Sequence, residues 1–162
     1  MLPSPFDLCV RRQMLLAGLL LAGLPLLAHA APPTPSAIVA RYVAAWNAHD
    51  PDAATAMLAP DSVYFNSSLG QEQEARAAID GTMRGLFALL PDLHWRMIEQ
   101  PIESASGIAF EWEVSGAYKA DGQAATKPIR LRGASLFRVR DARISYLADY
   151  YDSESMRRQL DR

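Results

Sequence analysis

The sequence has one cysteine in 162 residues, Cys9, and it lies before an apolar run near the amino terminus. Everything after that run lacks a disulfide, a thiol nucleophile and a thiolate metal site, so stability has to come from core packing alone. An excess of one charge sign is missing as well. Sixteen Lys and Arg stand against eighteen Asp and Glu, and the arginines of the second half alternate with apolar residues. No basic face of the kind nucleic acid needs is formed. The one long apolar run, residues 14–27, is about fourteen residues and is interrupted by Gly18, Gly23 and Pro25; a membrane-spanning helix needs about twenty. There is no phosphate loop, dinucleotide fingerprint, low-complexity tract or G-x-S-x-G elbow. Beyond the apolar run and its flank the histidines are His49 and His94. Two histidines without a shared spacing make neither a metal site nor a Ser/His/Asp triad, so no metal and no cofactor is expected.

What is present begins with an export signature. Arg11 and Arg12 form a positive segment, residues 14–27 an apolar one, and Ala28-His29-Ala30 an A-x-A site with cleavage expected after Ala30. Residues 1–30 are therefore expected to be a signal peptide, and the mature protein exported, to a periplasm, with no membrane contact after cleavage. The pair Arg11-Arg12 followed by Gln13-Met14-Leu15-Leu16 also resembles a twin-arginine motif, so the Sec and twin-arginine routes both stay open. Residues 31–35, rich in proline, read as a short stiff leader without packing surface. Residues 36–162 read as one domain, half of the whole chain being apolar and a fifth charged.

Within that domain the hydrophobic period is first helical, then alternating. Ile38, Val39, Tyr42, Val43 and Trp46 form one buried stripe over residues 36–49, with Ser36 as a candidate cap. Asp50-Pro51 opens a short second helix that Pro60 closes. Residues 62–66 read as a strand, Gly70 as a turn, and residues 71–90 as a third helix. Gly81 and Gly85 in that helix suggest close approach to a neighbour. After Pro91, residues 93–98, 108–115, 129–138 and 143–152 alternate as half-buried strands, with a hairpin at Asp121-Gly122. Glu111 and Glu113 then face Arg130 and Arg132 in an outer-face ladder of opposite charges. Asp152 is placed to cap a helix over residues 153–160. The fold class is α+β, a curled antiparallel sheet covered by amino-terminal helices.

Several motifs resemble one family. They are Tyr42-Val43-Ala44-Ala45-Trp46-Asn47-Ala48-His49-Asp50, Leu58-Ala59-Pro60-Asp61-Ser62-Val63-Tyr64, Leu90-Pro91-Asp92-Leu93, Arg132-Gly133-Ala134-Ser135-Leu136-Phe137-Arg138-Val139 and Ala148-Asp149-Tyr150-Tyr151-Asp152. Together they resemble SnoaL-like polyketide cyclases and ketosteroid isomerase-like proteins of the nuclear transport factor 2-like superfamily. The resemblance implies a cone-shaped fold around an interior pocket and a homodimer formed through the outer sheet face. It also implies cofactor-free acid/base chemistry of cyclase or isomerase type on a small hydrophobic carbonyl compound.

Carried over residue by residue, the resemblance puts Tyr42 where the isomerases have a polarising tyrosine, Asn66 where they have the proton-shuttling aspartate, and Gly133 where they have a second, protonated acid. Neither Asn66 nor Gly133 can do the acid's work, which excludes ketosteroid isomerisation by its usual mechanism. In the SnoaL-like cyclases the last strand carries the catalytic aspartate in a D-x-x-D segment, matched here by Asp149-Tyr150-Tyr151-Asp152. Asp149 is thus the candidate proton-transfer group, with Tyr42 and Asn66 as candidate donors. Trp46, Tyr64, Trp95, Trp112, Ser135, Leu147 and Tyr151 are candidate ligand-binding residues. The alternative is a non-catalytic module that binds a small apolar ligand or another subunit.

Overall fold

The computed structural model describes residues 32–119 and 126–161. The expected signal segment, Cys9 and the expected hairpin at Asp121-Gly122 lie outside the described residues. The chain order is α1 (Pro35–Asn47), α2 (Pro51–Ala56), β1 (Leu58–Asn66), β2 (Gln71–Glu74), α3 (Ala75–Leu89), β3 (His94–Met97), β4 (Ile102–Ser104), β5 (Gly107–Tyr118), β6 (Lys127–Arg140), β7 (Arg143–Tyr151) and α4 (Ser153–Leu160). Among these helices none is long and apolar enough to cross a membrane.

Each helix starts on a side chain that accepts from the otherwise unpaired amides of the first turn. For α1 that side chain is Thr34, bonded to the Ala37 amide, and not Ser36. Pro35 sits at N1 and is buried, so the proline-rich leader ends inside the packed domain. Ser36 instead donates through its amide and hydroxyl to Glu103, tying α1 to β4. Asp50 and Asp152 cap α2 and α4 as their sequence positions foretell.

Residues 71–74 depart from expectation. They form β2, antiparallel to β1, and α3 begins only at Ala75. Gly70, at φ +66°, makes the tight turn that folds this polar segment back onto β1, and Glu74 then caps α3 by accepting from the Arg76 and Ala77 amides. The expected close approach at Gly81 and Gly85 is absent among the described residues: none of their atoms lies within 4 Å of where a Cβ would stand at either.

The strands form one sheet in the order β2-β1-β7-β6-β5-β3, with β4 also paired to β5. All pairs are antiparallel except β1 with β7, which is parallel. That exception follows from connectivity, because most of the domain separates the two strands and no hairpin joins them. The helices cover one face, and the core between them centres on Tyr42, Ile79, Met83, Phe137, Ile144 and Leu147. On the other face Glu113 accepts from Arg96 and Arg130, and Glu111 from Arg132, which is the ladder read from the sequence.

Candidate active site

β7 lies between β1 and β6, and its register decides what surrounds its inward side chains. Asp149 is paired with Asn66 on β1 and with Ser135 on β6; Leu147 is paired with Tyr64 and Phe137; Tyr151 is paired with Gly133. The period of two turns Leu147, Asp149 and Tyr151 to the helix-covered face, so the carboxylate enters the interior flanked by polar side chains.

Both carboxylate oxygens are occupied by hydroxyl donors. Ser135 Oγ donates to Oδ1 at 2.5 Å, and Tyr64 Oη donates to Oδ2 at 3.0 Å. Behind each donor stands a second one, Trp112 Nε1 donating to Ser135 Oγ at 2.7 Å and Asn66 Nδ2 donating to Tyr64 Oη at 3.0 Å. Burial pushes the Asp149 carboxyl up to about 6, against the downward pull of the Ser135 and Tyr64 hydrogen bonds. Tyr64 is pushed above its ordinary value by burial and then by the adjacent negative charge, so it remains a neutral donor.

A cavity opens beside Asp149, walled by Trp46 of α1, Tyr64 and Asn66 of β1, Trp95 of β3, Trp112 of β5 and Tyr151 of β7. Thr82 and Leu86 of α3 and Val114 of β5 complete its wall. Its volume is about 90 Å³. Trp95 stands edge to face with both Trp46 (79°, 5.5 Å) and Trp112 (88°, 6.2 Å), so three indoles form a box. Among the lining residues Asp149 is the only charged group and no Lys, Arg or His is present.

The structure brings most of the candidate residues together. Asp149, Asn66, Trp46, Tyr64, Trp95, Trp112 and Tyr151 all line the cavity. Ser135 stands one layer behind, bonded to Asp149 and Trp112, and Leu147 belongs to the core. Tyr42 is outside the lining: it is fully buried among Trp46, Trp95 and Phe137, and its hydroxyl has no hydrogen-bond partner among the described residues. The α1 stripe that makes Tyr42 inward also buries it one turn below the pocket residue Trp46. Asn66 is committed on both sides, since Oδ1 accepts from the Ser68 amide and hydroxyl while Nδ2 serves Tyr64. The lining residues that are not among the candidate ligand-binding residues are Thr82, Leu86 and Val114. Thr82 and Leu86 share the i, i+4 face of α3 and Val114 follows Trp112 at strand spacing, so periodicity could have found them. His49 bonds the Leu93 carbonyl and stacks on Phe87, and His94 is exposed, so neither reaches the site. Among the described residues no cluster suits a metal ion.

Residues 39–147 match the model of the SnoaL-like domain. The chain belongs to the SnoaL-like family. Solved structures agree on the fold. A protein of ketosteroid isomerase-like fold from Catenulispora acidiphila, in complex with trimethylamine, superposes with a TM-score of 0.65 at 25% identity, covering 78% of this chain and 93% of that one. A protein provisionally named a polyketide cyclase from Xanthomonas campestris does so with a TM-score of 0.66 at 24% identity, over 78% of this chain and 96% of that one. IdmH of Streptomyces antibioticus, also provisionally named a polyketide cyclase, gives 0.69 at 22% identity, over 79% and 99%. No functionally curated protein matches the chain. In this SnoaL-like domain Gly133, where the resemblance puts the isomerases' second acid, is closed to any side chain. A Cβ on Gly133 would stand 2.6 Å from Trp112 Cη2 and 2.6 Å from the Tyr150 carbonyl oxygen.

Proposed function

We propose that this SnoaL-like domain binds a small hydrophobic carbonyl compound in the aromatic cavity and moves a proton next to the carbonyl, with Asp149 as the base. The observation that carries this reading is the carboxylate itself: one ionisable acid, partly buried, held by two neutral donors, on the wall of a cavity otherwise mostly aromatic. Burial raises its basicity toward the operating pH, the condition under which a carboxylate removes a carbon-bound proton effectively. The step needs no cofactor, since the proton leaves carbon for an Asp149 oxygen and returns from it to carbon or oxygen. The cyclase-like relatives favour this chemistry by family. The test is exchange of the α-protons of 2-indanone for deuterium, followed by NMR with the wild-type protein and Asp149→Asn. Catalysed exchange that disappears in the variant supports the reading; no exchange with any small aromatic ketone removes it.

A second reading is a binding module for a small organic cation. Three boxed indoles, two tyrosines and one uncompensated carboxylate, with no basic residue in the lining, would hold an alkylated ammonium group by cation–π and ionic attraction. The Catenulispora relative in complex with trimethylamine favours it. Tetramethylammonium bound with higher affinity than neutral 2,2-dimethylpropane would select this reading over the first.

Around that site we infer export, with residues 1–30 removed, and a homodimer through the charged outer sheet face. Intact mass of a periplasmic preparation should begin at Ala31, and light scattering should give twice the monomer mass.

A further inference from the structure

The hydrogen-bond chain that reaches Asp149 Oδ1 has a fixed direction. An indole N–H can only donate. Ser135 Oγ, accepting it at 2.7 Å, must therefore turn its own proton elsewhere, and the acceptor in line is Asp149 Oδ1 at 2.5 Å. Ser135 is 2% exposed and Trp112 5% exposed, so bulk water does not compete for either group. The chain to Oδ2 is directed in the same way. The Ser68 amide can only donate, so Asn66 must present Oδ1 to it and Nδ2 to Tyr64, which leaves the Tyr64 proton for the carboxylate.

We propose that Trp112 is a positioning residue that acts through Ser135, its indole N–H locking the serine proton onto Asp149 Oδ1. The ring cannot easily leave that station. It fills the space in front of Gly133, stands edge to face with Trp95 and leans on Tyr151 at 6.2 Å. Gly133 is thus part of the device: a side chain there would collide with the indole and break the bond to Ser135. The arrangement replaces a second acid near the base with a donor relay, which favours the ionised carboxylate where a second carboxylate would oppose it. The remaining titratable groups facing Asp149 are tyrosines, namely Tyr64 from β1, Tyr42 from α1 and Tyr151 on its own strand. The pocket-lining residues of β3, β5 and α3 carry no charge.

This inference rests on Asp149 being the working group, but it concerns that group's ionisation and is read without turnover. The experiment is an NMR titration of the Asp149 carboxyl carbon in the full chain, assigned by its loss in Asp149→Asn. Ser135→Ala should raise the titration midpoint by about one pH unit, the scale of one hydrogen bond to a charged group. Trp112→Phe should raise it by about half a unit although residue 112 does not touch the carboxyl. The double variant should shift no further than Ser135→Ala alone, because the indole acts only through the serine. Should Trp112→Phe fail to fold, benzothienylalanine at position 112 keeps the ring and replaces the N–H with sulfur, and it should give the same shift. An unchanged midpoint in the ring-preserving variant, or additive shifts in the double variant, would overturn the proposal. A shift in a protein that exchanges no ketone proton would keep this inference and remove the catalytic one.

Discussion

Two adjoining clusters meet at the cavity. In the first, Trp112, Ser135, Asp149, Tyr64 and Asn66, the indole N–H, both hydroxyls and one amide N–H of Asn66 each have an acceptor, and the donors converge on one carboxylate. In the second, Tyr42 and Trp46 of α1 and Trp95 of β3, three ring donors have no acceptor, and the rings meet edge to face at 5.5–6.4 Å. An unpaired buried donor costs of order 1–3 kcal/mol. The second cluster bears that cost for aromatic bulk, which makes it a wall; the first is organised for polarity, which makes it the place where chemistry can occur.

The strongest way to break this comparison is to exchange the effects of the two clusters. On a ketone that the protein turns over, Asp149→Asn should lower kcat by a factor of about 10² to 10⁴, the usual scale of a lost general base, and leave ligand affinity within about threefold. Trp46→Leu should do the reverse, raising KM and leaving kcat nearly unchanged, because it alters the wall and not the base. Steady-state kinetics on both variants decides it, and a kcat loss in Trp46→Leu as large as that in Asp149→Asn would erase the distinction. In the wild type, kcat/KM should climb with pH and level off above about 6, where Asp149 is ionised.

The next effect is on stability. The Asp149 carboxyl rises from 3.8 to about 6 on folding, so between those values the native state holds more proton than the unfolded state. By linkage the protonated carboxyl's stabilisation is complete below pH 3.8 and is lost as pH rises through about 6, a change of about 3 kcal/mol. Asp149→Asn cannot titrate. Whatever its own hydrogen-bond mismatch costs, its stability relative to wild type should improve by about 2.4 kcal/mol between pH 4 and pH 8. Urea denaturation at the two pH values measures this, and a pH-independent difference would mean the carboxyl is not desolvated.

How much of this was legible in the sequence follows the same division. Alternation turns Leu147, Asp149 and Tyr151 to one face and the family resemblance singles out Asp149 on it, so the candidate base was legible from a single strand read with its motif. Its partners were not legible as partners. Ser135 and Trp112 reach Asp149 through the pairing of β5 with β6 and β6 with β7, a register fixed by distant strands and turns that no local pattern encodes. Residues 71–74 have too polar a composition to read as a strand, and only the Gly70 turn and the waiting edge of β1 make them one. For Tyr42 the limit is related, since a helical stripe reports which residues point inward but not which of them stop at a cavity.

A smaller effect tests the open flank of α3. Gly81 and Gly85 have nothing within 4 Å of a would-be Cβ and no positive φ. Alanine at either should therefore stabilise by about 0.5–1 kcal/mol, through helix propensity and a less flexible unfolded chain. Thermal melts of the single variants check it. A loss of stability would indicate a partner surface against this face in solution.

The smallest expected effect is the most pointed test of the second cluster. Tyr42 is where the family resemblance seeks a polarising hydroxyl, yet its oxygen is buried, unpartnered and outside the cavity wall. Burial drives its ionisation far above the ordinary range, so it cannot exchange a proton, and without a line to the ligand it cannot donate a hydrogen bond either. Tyr42→Phe removes only that oxygen and keeps the ring contacts with Trp46, Trp95 and Phe137. Deleting an unsatisfied buried hydroxyl relieves a desolvation cost at the risk of a small void, so stability should change by no more than about 1 kcal/mol, in the favourable direction. Turnover should stay within about twofold of wild type. A drop of tenfold or more in kcat, with the melting temperature unchanged, would mean that ligand binding draws the Tyr42 hydroxyl into the cavity. The second cluster would then have to be counted among the reacting groups.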